Sequence, residues 1–103
     1  MMPHDALLCR GAGRVVRHMV DVVGQPCVIR WAGQRPWASA TFDGLRLAVQ
    51  LELTEEPAPE DLRAICLCLE QADYGVAKYL VADVQAAGKT RRIDIEALLI
   101  QNA

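Results

Sequence analysis

The segment RAICLCLEQAD, residues 63–73, carries two thiols one residue apart, Cys66 and Cys68. Thiolates bind soft metals, attack carbonyl carbons and form disulfides, so their relative placement decides which of these chemistries is open. The segment has helical periodicity, and on a helix positions i and i+2 lie about 200° apart. Two side chains so disposed cannot grip one metal ion, and they cannot pair as a disulfide without unwinding the helix. Cys66 falls on the apolar stripe and is expected in the core, while Cys68 falls on the flank. The other candidate ligands, Cys9, Cys27, His4 and His18, show no zinc-ligand spacing. A nucleophilic Cys68 would need a base such as His18, and nothing along the chain brings the two together. The expectation is therefore a protein with no metal, no cofactor and no catalytic constellation.

Two glycine-containing segments bear on phosphate binding. DVQAAGKT, residues 83–90, ends like a phosphate loop, but Asp83 stands where that pattern needs glycine, and the residues after Thr90 alternate like a strand. LLCRGAGRVV has Val16 at the third glycine position of a dinucleotide loop, and no acidic residue ends the next strand at Trp31. Both are read as structural: a turn in the first case and a helix entry in the second. A third constellation is polar. Arg46, Gln50, Glu52, Arg92, Asp94 and Glu96, with Asp83 nearby, are expected on one outward sheet face. Carboxylates held on a rigid sheet suit acid–base work, yet interleaved opposite charges also keep an exposed sheet soluble.

The elements that must carry these residues follow from periodicity. Leu8, Ala12, Val15, Val16, Met19, Val22 and Val23 mark a helical stripe opposite Arg10, Arg14, Arg17 and Asp21. Gly11 and Gly13 weaken its start, so the helix is expected over 14–23, stopping at Gly24. Residues 27–31 read as a strand, AGQRP as a loop, and Asp43-Gly44 as a hairpin turn between ASATF and LRLAVQLEL. In the latter Leu45, Leu47, Val49, Leu51 and Leu53 all point one way. A second helix opens at Pro59 with Glu60 and Asp61 in its first turn. It buries Leu62, Ile65, Cys66, Leu69 and Ala72 and is closed by Gly75. Residues 76–87 fit a helical stripe nearly as well as a strand; a strand over 78–86 is preferred, with AAGKT as the turn into RRIDIEALLI. The predicted fold is α+β, with two layers. A mainly antiparallel sheet of about five strands carries two helices on one face, in the order α-β-β-β-α-β-β.

At 103 residues, 52% apolar and 23% charged, the chain reads as a single small domain, residues 1–103, with residues 1–5 as a disordered tail. Net charge is −2, which argues against general affinity for nucleic acid. A nucleic-acid reading would rest on Arg10, Arg14 and Arg17 alone. The first fifty residues carry a balance of +3 and the remainder −5, an asymmetry that can steer self-association. There is no membrane-spanning run and no signal-peptide pattern, so a cytoplasmic protein with reduced thiols is expected. Trp31 and Trp37 bracket AGQRP, and Leu67, Leu98 and Ile100 have no obvious internal partner. These five positions are the expected interaction surface. The functional expectation is a non-enzymatic interaction or assembly domain, a homodimer or bound to another protein. The alternative is a small ligand-binding domain or enzyme using the polar sheet face or Cys68. In element order, and in no residue motif, the chain resembles small secretion chaperones, which dimerise and hold a partner's unfolded segment.

Overall fold

The computed structural model describes residues 8–101; the expected tail at 1–5 lies outside them. The elements are α1 (Arg10–Val23), β1 (Cys27–Ala38), β2 (Asp43–Leu53), α2 (Pro59–Gln71), β3 (Tyr79–Lys89) and β4 (Arg92–Gln101). The strands form one antiparallel sheet in the order β1-β2-β4-β3. The chain is thus two α-β-β units in succession, with β2 and β4 in the centre and β1 and β3 at the edges. The α+β class holds, with four strands rather than five.

The missing fifth strand has a local cause. AGQRP is not a loop but the middle of β1, which runs on to Ala38. Pro36 has no N–H to give, a defect that excludes proline from central strands but is tolerated at an edge, where one side of the ladder is unpaired. The hairpin turn is Ser39–Phe42, not Asp43-Gly44. The Ser39 hydroxyl accepts from the N–H groups of Thr41 at 3.3 Å and Phe42 at 3.0 Å, while its own N–H donates to the Phe42 carbonyl at 2.8 Å. Gly44 lies within β2 for a different reason. A β-carbon there would land on the Leu99 carbonyl oxygen of β4.

Each edge strand bulges at its fourth residue, Arg30 in β1 and Ala82 in β3. A bulge inserts one residue against the partner and reverses which alternate positions face inward. Cys27 and Ile29 face the core before the first bulge, and Ala32 and Gln34 lie on that face after it, opposite Val49 and Leu47. Trp31 is thereby sent to the outer face. Bulges also discourage edge-to-edge pairing, and β3 has a second guard: the Glu70 carboxylate of α2 accepts from the Ala86 N–H at 2.9 Å.

The core lies between the helices and the inner sheet face. Leu47, Val49 and Leu51 of β2 and Ile93, Ile95 and Leu99 of β4 are essentially inaccessible. They pack under Val15, Val16 and Met19 of α1 and Leu62, Ile65 and Leu69 of α2. α1 begins four residues earlier than its glycines implied. Cys9 is its N-cap, its Sγ accepting from the Ala12 N–H at 3.5 Å, and the Cys9 N–H donates to Gln34 Oε1 at 2.8 Å. Gly11 serves packing, since a β-carbon there would sit 2.7 Å from the Tyr79 ring. Gly24 ends α1 in the left-handed conformation, φ 70°, as expected.

α2 starts at Pro59 as expected but ends at Gln71, and Gly75 does not cap it. Tyr74 folds back into the core instead, and its hydroxyl donates to the Leu69 carbonyl at 2.5 Å. That carbonyl is among the last four of the helix, which no helical N–H can reach. The side chain closes the helix where a glycine cap was expected. Residues 79–89 are strand, resolving the ambiguity of that segment, and the turn into β4 is Thr90–Arg91, not AAGKT as a whole. Thr90 takes φ 60°, which is costly for a β-branched residue.

Candidate interaction surface

Both helices cover the same sheet face, so among the described residues the other face stands open. Strand pairing arranges it in five rows, each read from β1 across β2 and β4 to β3. The first is Trp37, Gly44, Ile100, Leu80. The second is Arg35, Arg46, Leu98, Asp83. The third is Gly33, Ala48, Glu96, Gln85, and the fourth Trp31, Gln50, Asp94, Ala87. The last is Val28, Glu52, Arg92, Lys89. Four of the five expected interaction residues, Trp31, Trp37, Leu98 and Ile100, therefore share one face. Leu67 does not join them; it is exposed on α2, in the opposite layer.

Five large apolar side chains among the described residues are more than half exposed: Val28, Trp31, Phe42, Leu67 and Leu80. Val28, Trp31 and Leu80 are on the open face, and Phe42 stands in the turn beside its first row. Leu80 escaped sequence reading because the phase of its strand depends on the bulge at Ala82. The Trp31 indole lies along the sheet over Gly33, where a β-carbon would approach it to 3.1 Å. Between this ring and the Arg35 and Arg46 side chains is a shallow cleft of about 370 Å³, floored by Gly33 and Ala48 and bounded by Glu96.

The polar residues of this face divide into held and free. Glu52 is gripped by Arg30 at 2.8 Å and Arg91 at 3.0 Å, the two ion pairs found among the described residues. Asp94 accepts from Gln50 Nε2 at 2.8 Å. Carboxylates so engaged are poor candidates for proton transfer. Arg35 and Arg46, directly opposite each other across β1 and β2, have no carboxylate partner among the described residues. Like charges facing across a ladder are destabilising, so this pair costs the isolated domain stability.

The thiols are separated as the helix geometry requires. Cys66 is buried in the core and Cys68 is exposed. Burial, and secondarily the nearby Glu70 charge, pushes the Cys66 thiol up, away from the thiolate form. Burial also raises Cys27. His18 packs edge-on against the Tyr74 ring, with centroids 5.0 Å apart. The phosphate-loop look-alike resolves as packing, because a β-carbon at Gly88 would strike the Leu62 side chain at 2.7 Å. Arg10, Arg14 and Arg17 are exposed along α1. Among the described residues no group of three or more His, Cys, Asp or Glu is placed to hold a metal ion. No helix there is long and apolar enough to cross a membrane.

Comparison with protein-family models, curated proteins and solved structures finds no match for this chain.

Proposed function

We propose that this chain is a non-catalytic interaction domain of the cytoplasm that engages protein through its open sheet face. It acts as a homodimer or bound to another protein. The observation that carries the reading is the clustering of Val28, Trp31 and Leu80, each more than half exposed, on the sheet face that neither α1 nor α2 covers. An antiparallel sheet can leave one face to solvent, but that face is then normally polar. Aromatic side chains and arginine are the residue types enriched where proteins dock. The cytoplasmic assignment rests on Cys9, Cys27, Cys66 and Cys68 standing as separate thiols.

Photo-crosslinking tests the surface. A crosslinking amino acid at Arg46 or Gln85 reports on the open face, and one at Arg14 or Arg63 on the helical layer. Protein adducts in cells should arise from the first pair of sites. Adducts confined to the second pair would overturn the assignment.

A second reading draws on the cleft beside Trp31. An aromatic wall, a flat floor and two uncompensated guanidinium groups suit a small aromatic carboxylate. Titration with benzoate while following tryptophan fluorescence tests it; a flat response that Arg46→Ala leaves unchanged would remove it.

A further inference from the structure

We propose that the open face binds a second copy of this chain, sheet on sheet, about a two-fold axis running parallel to the strands between β2 and β4. The proposal rests on the open-face reading above and specifies its occupant and geometry. Such an axis lays β1 over the second copy's β3 and β2 over its β4, and it keeps each cross-strand row on the equivalent row of the second copy.

The residue pattern fits this operation. In the first row Trp37 meets the second copy's Leu80, and Gly44 leaves room for the second copy's Ile100. In the second row Arg35 meets the second copy's Asp83, and Arg46 lies over the second copy's Leu98. Small meets larger in the third row, where Gly33 and Ala48 receive the second copy's Gln85 and Glu96. The fourth row sets Trp31 on the second copy's Ala87, and the last sets Glu52 on the second copy's Arg92. The rows follow from strand register. The uncompensated Arg35–Arg46 pair thus gains an acid that its own chain places on the far edge strand.

The other in-plane two-fold, perpendicular to the strands, sets no opposite charges on each other: it would stack Glu96 on the second copy's Glu96, Ile100 on its Arg92 and Leu98 on its Asp94. The chosen axis also lays Arg46 over Leu98 and Lys89 over Val28, but it alone adds the opposite-charge contacts Arg35–Asp83 and Glu52–Arg92. Size also suits the chosen arrangement. Four strands about 4.8 Å apart and about ten residues long present roughly 19 by 34 Å. That is about 1,300 Å² over both copies, near the lower end of specific interfaces. Stacked sheets rotate by about 30° relative to each other, which displaces edge-strand positions by about 5 Å at Arg35 and Asp83, a shift that a long arginine side chain spans, and by about 8 Å at the first and last rows.

Charge exchange tests the axis. Arg35 and Asp83 lie on opposite edge strands, so neither can compensate the other within one chain. Sedimentation of the full chain from micromolar to millimolar concentration should show a dimer. Arg35→Asp and Asp83→Arg should each weaken it at least about tenfold. Mixing the two variants should restore it as a heterodimer, because both contacts then pair opposite charges. Both sites are exposed, and circular dichroism confirms that each variant is folded. A dimer indifferent to both reversals would overturn this axis, and crosslinks confined to Arg14 or Arg63 would overturn the open-face reading beneath it. A strict monomer whose open-face crosslinks go to a different protein would overturn the two-fold and leave the open-face reading standing. Weakening by each variant without recovery on mixing would overturn this axis.

Discussion

At the residue scale, Tyr74 links the end of a helix to the core. Its phenol is buried and donates to the Leu69 carbonyl, and burial raises its pKa from 10.0 to about 12. A raised acid pKa means the folded state holds its proton more tightly than the unfolded state. The contribution is complete below pH 10 and is lost as the unfolded chain ionises between pH 10 and about 12. Tyr79 is shifted upward too, by burial and then by its hydrogen bond to Cys9, and adds to the same loss. Tyr74→Phe should therefore cost about 1 kcal/mol at neutral pH, through the unpaired carbonyl. It should also shallow the alkaline fall in stability without abolishing it. Urea titrations at neutral pH and across the alkaline range measure both effects. The neighbouring thiols give a second check. Iodoacetamide should label Cys68 in the native protein and leave Cys66 protected until unfolding, because Cys66 is buried and its thiol is pushed up. Equal labelling by peptide mass spectrometry would contradict the placement of the α2 stripe.

At the element scale, the edge strands carry the irregularities and the central strands the regular core. β2 and β4 alternate without interruption, whereas β1 and β3 each contain a bulge. The close approach of β2 to β4 at Gly44 is the tightest point of this centre. Gly44→Ala would drive a methyl group onto the Leu99 carbonyl, and overpacking of this kind costs about 1–3 kcal/mol. Thermal unfolding should show a clear fall in Tm. Gly13→Ala, by contrast, meets nothing within 4 Å and should stabilise α1 by up to about 1 kcal/mol. The two substitutions are the same in composition and opposite in outcome.

The scale of the whole molecule brings together what the chain keeps apart. Trp37 and Leu80 are separated by a strand and a helix in sequence, yet they end the same row of the open face. Because Leu80 is more than half exposed, it contributes little to the core. Leu80→Lys should leave the stability of the monomer within about 0.5 kcal/mol of the parent. The same change should weaken docking at the open face. A large fall in monomer stability would show that Leu80 packs inward and would remove the apolar row.

The alternation of β2 and β4 and the stripes of both helices were legible along the chain, because burial on one side imposes a period that local residues must obey. The same periodicity showed that Cys66 and Cys68 part company and that the class is α+β. Other features had no local signature. AGQRP joined a strand because it lies at an edge, where a proline's missing N–H is tolerated. α2 stopped short because Tyr74 reached back to it, and Trp31 and Leu80 turned outward because of bulges that only pairing reveals. Periodicity determined which side of each element is apolar; which of those sides found a partner, and which face was left open, was decided by how the strands ordered themselves and where the two helices came to rest. That decision belongs to the tertiary structure because a face is covered or exposed only relative to the elements packed beside it.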